Sequence, residues 1–356
     1  QMLKIQQLEA SSWDELTVAY RTQMQGLIDG GVDVILIETI FDTLNAKAAI
    51  FAALEVMEIA NKEIPIMLSA TLTESGRILS GQTIEAFLAS VAQAHAISIG
   101  LNCGFGAEGM TKWVTEMSEI SPYALCIYPN AGLPNEMGEY DETPATMIAH
   151  VRTMLEKGHI NIIGGCCGTT PLHIKALSEE AKMYAPRTIP SICNKLTLAG
   201  LEPLDITPER RFVNVGERCN VAGSRKFLRL INEKKYDEAL YIAREQVVAG
   251  AQIVDVNMDD GMLDTEVEMK HFLNLLSSDP DIARVPIMID SSKWDVIKGA
   301  LGCLQGKSIV NSISLKDGER VFRDKAEYIK NFGAATVVMA FDEKGQADTL
   351  ERKVEI

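Results

Sequence analysis

Three cysteines are placed so that their thiols can meet at one point. Cys103 follows one short apolar run, and the adjacent pair Cys166 and Cys167 follows another. Three thiolates at strand ends can hold one zinc ion and leave its fourth tetrahedral position open, which is the pattern of catalytic rather than structural zinc. A thiol substrate bound there would be held as its thiolate, which is the nucleophilic form.

The same residue type also has a plainer interpretation. A buried cysteine is often just a small apolar residue, and this interpretation suits Cys126, Cys193 and Cys303. A disulfide between the two adjacent cysteines is a further alternative for that pair. The glycines within residues 164–168 favour a metal site, because they let the backbone turn sharply around an ion.

Acid and amide side chains follow successive apolar runs in the second half of the chain. They are Asp255, Asn257, Asp290 and Asn311. A carboxylate can accept paired hydrogens from the edge of a 2-amino-pyrimidinone ring, and asparagine offers a donor and an acceptor together. These residues therefore predict a site for a flat heterocycle rich in donors. Turn formation or helix capping is the alternative interpretation of each one.

One acid in the first half belongs with the candidates. Glu38 ends the apolar run at residues 32–37. A carboxylate at a strand end can bind the ammonium group of an amino-acid substrate. We therefore include Glu38 as a candidate substrate-binding residue.

Short apolar runs alternate with amphipathic helical stretches along the whole chain. The runs predict strands at residues 32–37, 64–70, 96–102, 123–128 and 159–163, and then at 212–215, 252–256, 285–289, 308–313 and 334–340. Continuous apolar strands are typical of parallel sheets covered on both faces. Because the candidate residues follow the strands, we predict an α/β fold with two consecutive (βα)8 barrels, whose sites lie at the carboxyl ends of the strands.

The two halves are separated by a segment rich in proline. Residues 186–211 are predicted to be a linker between an end part of one barrel at 1–185 and a beginning part of another at 212–356, because four prolines interrupt the alternation there: Pro186, Pro190, Pro203 and Pro208. Neither half shows eight strands. We therefore expect the sequence to be a fragment from the middle of a protein with two barrels.

The amino-acid composition argues against some classes of binding partner. A net charge of −15 disfavours binding to nucleic acid, which requires an excess of lysine and arginine. No apolar run approaches the roughly 20 residues that span a bilayer, so no membrane partner is expected. Seven cysteines in 356 residues do not make a disulfide-rich scaffold and favour a reducing, cytoplasmic location.

The cysteine segments resemble a known family. Leu101-Asn102-Cys103 and the segment 164–171, Gly-Gly-Cys-Cys-Gly-Thr-Thr-Pro, resemble the homocysteine S-methyltransferase family, as do residues 38–47 and 80–83. The resemblance implies a (βα)8 barrel in which Cys103, Cys166 and Cys167 bind catalytic zinc and homocysteine is the methyl acceptor.

The second half resembles the pterin-binding family, which includes dihydropteroate synthase and the corrinoid methyltransferases. The segments that carry this resemblance are 214–220, 255–259, 289–292 and 311–314. It implies that Asp290 and Asn311 contact a pterin ring, with Asp255 and Asn257 nearby.

The two resemblances in this order imply one reaction sequence. A methyl group passes from 5-methyltetrahydrofolate to cobalamin, and from methylcobalamin to homocysteine, giving methionine and tetrahydrofolate. The sequence has no Asp-x-His-x-x-Gly motif for the cobalt ligand, so a separate cobalamin-binding module is the expected partner and this piece alone is expected to be inactive. The alternatives are a zinc homocysteine methyltransferase with another methyl donor, and a non-catalytic truncated product with structural zinc.

Overall fold

The computed structural model describes residues 12–191 and 195–356. Over these ranges it contains two parallel sheets, a short antiparallel hairpin and helices that cover the sheets. Cys193, interpreted above as a small apolar residue, lies outside the described residues, as does part of the predicted linker. No helix in these ranges is long and apolar enough to cross a membrane.

The first sheet contains five parallel strands in the order β1-β2-β3-β4-β5. Its elements are α1 (Trp13–Asp29), β1 (Ile35–Ile40), α2 (Thr43–Ala60), β2 (Ile66–Ala70), α3 (Ile84–Ser90), β3 (Ser98–Gly106), α4 (Ala107–Ile120), β4 (Ala124–Asn130), α5 (Pro144–Glu156), β5 (Ile162–Ile163) and α6 (Pro171–Ala181). Ser12 caps the amino terminus of helix α1 and forms a capping box with Glu15, which satisfies free N–H groups of the first turn.

The second sheet contains six strands in the order β13-β12-β11-β10-β9-β8. All neighbours are parallel except β12 and β13, which form an antiparallel turn. The elements are β8 (Val215–Asn220), α7 (Arg225–Asn232), α8 (Tyr236–Val248), β9 (Ile253–Asn257), α9 (Thr265–Ser277), α10 (Pro280–Ala283), β10 (Ile287–Asp290), α11 (Trp294–Leu301), β11 (Ile309–Leu315), α12 (Glu319–Phe332), β12 (Ala335–Asp342), β13 (Gly345–Gln346) and α13 (Leu350–Glu355).

The fold is thus mixed α/β with parallel sheets, as the alternation predicted. Over the described ranges neither sheet closes on itself, because β1 and β5 remain edges of one sheet and β8 and β13 remain edges of the other. The strand predicted at 212–215 begins instead at Val215 and continues through polar residues to Asn220. Its side chains are largely exposed at the sheet edge, so no apolar run marks it.

The segment predicted to be a linker contains an ordered hairpin. Strands β6 (Leu196–Ala199) and β7 (Pro203–Ile206) pair antiparallel. Leu198 and Leu204 pack against Ile253 and Ile309, which begin β9 and β11. The hairpin therefore covers the amino-terminal end of the second sheet, on the face opposite to the surrounding helices.

The two sheet units are in direct contact through their helices. The ring of Trp13 on α1 packs 5.8 Å from Phe51 on α2 and 4.8 Å from Phe332 on α12, measured between centroids. Phe51 in turn lies 5.2 Å from Tyr328 of α12. Lys47 of α2 is fully buried there and donates hydrogen bonds to the carbonyls of the loop after α11. Helix α2 is consequently buried on two faces.

Candidate functional site

The three predicted cysteines lie together at the carboxyl edge of the first sheet. The Cys103 and Cys167 sulfurs are 3.8 Å apart, and those of Cys166 and Cys167 are 3.9 Å apart. All three lie within 4.8 Å of one another. Tetrahedral zinc with bonds of about 2.3 Å requires sulfurs roughly 3.8 Å apart. The thiols are therefore arranged to accept one zinc ion.

An irregularity in β3 aims Cys103 at the other two cysteines. The register between β3 and β4 shifts between Asn102 and Gly106. Within the shift Cys103 has a φ of 56°, in the left-handed region. This conformation costs an L-residue on the order of 1–2 kcal/mol. The cost is offset by the surrounding structure, and strain of this kind is typical of functional sites.

Asn102 fixes the position of Cys166, a role that the sequence did not predict for it. Its side chain is only 1% exposed. Its Oδ1 accepts hydrogen bonds from Thr39 N (2.9 Å) and Ser69 Oγ (2.8 Å). Its Nδ2 donates to Thr39 Oγ1 (2.8 Å) and to Cys166 Sγ (3.8 Å). Because this amide is committed on every side, Asn102 holds the Cys166 sulfur in one place.

Asn130, at the end of β4, plays a similar part for Cys167. Its Oδ1 accepts a hydrogen bond from the Cys167 backbone N–H at 3.1 Å, and the neighbouring Ala131 N–H donates to the Cys167 carbonyl at 2.9 Å. The strand end therefore fixes the backbone of the cysteine pair. The only sequence signal for this role of Asn130 was its position directly after an apolar run.

The electrostatics of the three thiols favour a bound cation. Burial, and then the nearby Cys103 thiol, raise the pKa of Cys166 to about 11, although hydrogen bonds from Asn102 and the Cys167 N–H oppose the shift. Burial also acts to raise the pKa of Cys103, but the Gly104 N–H and then the side chains of Cys167 and Asn130 outweigh it and lower that pKa. Neighbouring thiolates repel each other, so holding all three deprotonated requires a positive ion.

The glycine-rich turn has a clear steric basis. Gly168 has a φ of 78°, which disfavours a side chain, and a Cβ built there would lie 2.3 Å from Cγ of Tyr140. Only glycine allows the backbone this close to the tyrosine ring. The glycines predicted to turn the chain around a metal therefore also bring a second loop against the thiols.

Glu38 lies apart from the thiols. It is exposed on β1 and lines a pocket with Tyr20, Thr39 and Asn45. Burial, then Cys126 and lastly the charge of Glu38 raise the pKa of the Tyr128 hydroxyl. Its predicted role as a substrate-binding residue stays a prediction.

The predicted polar residues of the second sheet form a row across three strands. Asn257, Asp290 and Asn311 are register partners on β9, β10 and β11. Asn257 Nδ2 donates to Asp290 Oδ2 at 3.0 Å. Asp255 lies two residues before Asn257, on the same face of β9. The row therefore lies above the apolar residues that the hairpin covers.

The acids in this region influence one another. Burial, followed by the charges of Asp290 and Glu217, raises the pKa of Asp255 to about 7. Burial likewise raises the pKa of Asp290; the hydrogen bond from Asn257 opposes this, and the charges of Asp259 and Glu217 add to it. Glu217 lies in the segment 214–220 that carries the second resemblance, but it was not included among the candidate binding residues. A concentration of buried acceptors is suited to a ligand that presents several N–H donors.

Comparison with known proteins assigns the first half to a family. Residues 1–181, just over half of the 356, match the family described as Homocysteine S-methyltransferase. The chain belongs to the homocysteine S-methyltransferase family. Residues 216–356 match a second family, described as Pterin binding enzyme. In this family member the three cysteines lie in the first matched region and the polar row lies in the second.

Solved structures of one protein resemble this homocysteine S-methyltransferase family member over part of their length. They are the apo, oxidized and metallated forms of the homocysteine methyltransferase MmuM from Escherichia coli, with 22%, 23% and 24% identity and TM-scores of 0.37, 0.37 and 0.36. Each match covers 48% of this chain. The chain spans 58%, 52% and 52% of the lengths of those structures, respectively.

Proposed function

We propose that this chain carries parts of the homocysteine and folate modules of a cobalamin-dependent methionine synthase. The complete enzyme would transfer a methyl group from 5-methyltetrahydrofolate through cobalamin to homocysteine, giving methionine and tetrahydrofolate. The observation that carries the proposal is the convergence of the Cys103, Cys166 and Cys167 sulfurs at one strand edge. The order of the two family matches along the chain supports the assignment of a methyl acceptor and a pterin donor to one protein.

In the first unit the cysteines would hold zinc and leave one position for the substrate sulfur. Zinc supplies Lewis acidity that keeps a bound thiol deprotonated near neutral pH. The contribution of the chain is positional, because Asn102 and Asn130 hold two of the ligand residues in place. A thiolate held at a fixed point needs less reorganisation before it attacks a methyl group.

In the second unit the polar row would bind the pterin ring. Asp290 and Asn311 would pair with the donors and acceptors along the ring edge, and Asp255 and Asn257 would complete the surrounding hydrogen bonds. The mutual positions of Asn257 and Asp290 support this role, because their hydrogen bond orients the carboxylate before a ligand arrives. Orientation of the methyl donor is the main contribution expected of this site.

The proposal includes the parts that lie beyond these residues. Residues 1–185 and 212–356 would be portions of two (βα)8 barrels, with 186–211 connecting them. Methylcobalamin would be bound by another module of the whole protein and would exchange methyl groups with both sites.

X-ray absorption at the zinc edge tests the first part of the proposal. We expect one zinc per chain with three sulfur ligands, and a fourth sulfur ligand when homocysteine is added. Methionine, whose sulfur is already methylated, is the matched control and should leave the count at three. A zinc ion whose sulfur count does not respond to homocysteine would identify a structural site. Zinc and homocysteine binding without affinity for 5-methyltetrahydrofolate would indicate another methyl donor.

A further inference from the structure

Asp259 connects the loop after β9 to the turn after β10. Its Oδ1 accepts a hydrogen bond from Ser291 Oγ at 2.7 Å, and its Oδ2 accepts from Ser292 N and Ser292 Oγ, both at 2.7 Å. The two serines come directly after Asp290, the last residue of β10. Hydrogen bonds to an ionised acceptor are among the strongest in proteins, so three of them to one carboxylate fix the turn.

The backbone of Asp259 orients the neighbouring amide of the polar row. Asp259 N donates to Asn257 Oδ1 at 2.8 Å, which leaves Asn257 Nδ2 to donate to Asp290 Oδ2 at 3.0 Å. One residue therefore acts on both members of this pair. It acts on Asn257 through its backbone, and through its side chain on the turn that begins at Asp290.

The Asp259 carboxylate is held in its ionised form. Burial acts to raise its pKa, but the Ser292 N–H, the hydroxyls of Ser291 and Ser292 and the charge of Lys293 outweigh burial and lower that pKa. An ionised carboxylate only accepts hydrogen bonds, so both serine hydroxyls must donate to it. The Ser291 oxygen can then accept from Lys293 N at 3.1 Å, immediately before α11 begins at Trp294. The hydroxyl orientations in this turn are thereby fixed.

The same turn is also attached to the next strand of the sheet. Ser291 N donates to the Asn311 carbonyl at 3.3 Å. This bond is longer than those to Asp259 and joins backbone atoms, so it would remain in a side-chain variant of Asp259 but would hold the turn less tightly. The orientation of the Asp290 carboxylate therefore depends on Asp259 through the turn and on Asn257 through a direct hydrogen bond.

We propose that Asp259 is a positioning residue that holds the Asp290 carboxylate in place for the ring of a pterin ligand. The inference rests on the proposed function, in which Asp290 pairs with the ring edge. Both Asp259 oxygens are already engaged by the two serines, so Asp259 acts through Asp290 and not on the ligand directly. A ligand that meets a fixed acceptor loses less free energy to ordering of the site.

A double-mutant cycle on the full chain tests the proposal, with the affinity for 5-methyltetrahydrofolate measured by isothermal titration calorimetry. We expect Asp259→Ala to weaken binding roughly tenfold, because the turn loses three charge-assisted hydrogen bonds and Asp290 loses its fixed orientation. In the Asp290→Ala background the same change should weaken binding less than about twofold, since the residue through which Asp259 acts is gone. Additive losses would overturn the proposal, because they would mean that Asp259 supports the unit in a general way.

Asp260→Ala is the matched control. This neighbouring carboxylate accepts a hydrogen bond from Met262 N at 2.8 Å, within its own loop. The variant should bind the ligand as the unmodified chain does. Equal losses of affinity in Asp260→Ala and Asp259→Ala would overturn the proposal, since they would report a general effect on the loop after β9.

A second variant covers the case in which Asp259→Ala does not fold, as judged by circular dichroism. Asp259→Asn keeps an oxygen for the Ser292 N–H, so its loss of affinity should be about threefold and should again vanish in the Asp290→Ala background. Unchanged affinity in a folded Asp259 variant would overturn the inference and leave the proposed function standing. An unmodified chain that bound zinc and homocysteine but not 5-methyltetrahydrofolate would contradict the proposed methyl donor, and the inference would fail with it.

Discussion

Asn257 Nδ2 donates a hydrogen bond to Asp290 Oδ2 across 3.0 Å, between side chains that the strand register places side by side. The bond holds the Asp290 carboxylate in one orientation at the carboxyl edge of the second sheet. It also places an amide and an acid next to each other before any ligand binds. A ligand with complementary donors and acceptors therefore loses little free energy to reorganisation of the site.

Replacing Asp290 should weaken pterin binding. In Asp290→Ala the ring edge loses a charged acceptor in a partly desolvated site, and Asn257 loses its partner. We expect the affinity for 5-methyltetrahydrofolate to fall about tenfold or more, measured by isothermal titration calorimetry. Asp324→Ala, on the exposed face of α12, is the control and should bind normally. Equal affinity in the two variants would remove Asp290 from the proposed site.

The raised pKa of Asp255 predicts a pH dependence of stability. Burial chiefly raises this pKa from an ordinary 3.8 to about 7. The folded state therefore holds a proton that the unfolded state releases, and the associated stability is fully present below pH 3.8 and is lost as pH rises through 7. Asp255→Asn should be more stable than the unmodified chain at pH 8, and the difference should shrink towards pH 4. Thermal unfolding of both proteins across this range checks the sign; a constant difference would contradict it.

The cysteines should divide cleanly in their effect on metal binding. Cys166→Ala removes one of three converging sulfurs and should abolish tight zinc binding, because two thiolates cannot complete the site. Cys126→Ala is the control: this thiol is fully buried on β4 and contacts the Leu68 carbonyl. It should retain one zinc per chain, measured by competition with a chelator. Loss of zinc in both variants would point to general unfolding instead of a defined site.

Lys47 gives the contact between the two units a pH dependence of its own. Burial, and secondarily Lys307, lower its pKa to about 7 from an ordinary 10.5. Between these values the unfolded chain binds a proton that the folded chain does not, so stability should rise with pH in this window. Relative to Lys47→Met, the unmodified chain should gain on the order of 1 kcal/mol of unfolding free energy per pH unit between pH 7.5 and 9.5. Parallel urea titration curves at all pH values would disprove this linkage.

The hairpin should contribute measurably to the stability of the second unit. Leu204 is 6% exposed and packs beneath the second sheet. Leu204→Ala should lower the free energy of unfolding by about 2–4 kcal/mol through lost burial and a residual cavity. Leu196, in the same hairpin, is 44% exposed, and Leu196→Ala should change stability by only about 0.5 kcal/mol. Urea denaturation followed by circular dichroism distinguishes the two; equal effects would show that the hairpin does not pack as described.

The residues at strand ends could be predicted from the sequence because a short apolar run followed by Cys, Asp or Asn is a local pattern. Cys103 and Asp290 were identified in this way. Asn102 could not be assigned a role, because its partners Thr39 and Cys166 lie 63 and 64 residues away. Register between strands, and not local sequence, brings such residues together.

Contacts between secondary-structure elements could not be predicted from the local sequence either. Strand β8 lacks an apolar run because the residues at this edge are mostly exposed. The hairpin was hidden by the prolines around it, which also fit a linker. Helix α2 did carry a usable signal: its small and apolar residues surround the helix, and such helices are buried on more than one side. That pattern predicts an additional packing partner but does not identify it.

The hairpin packs against the amino-terminal ends of strands in the second sheet, at the end opposite to the polar row. Leu198 and Leu204 cover the amino-terminal end, whereas Asn257 and Asp290 of the polar row lie at the carboxyl edge. A ligand held by the polar row would therefore bind and dissociate at the carboxyl edge. A product molecule that dissociates slowly would prevent the next substrate molecule from binding. The turnover of such a site would then depend on product release as much as on substrate binding.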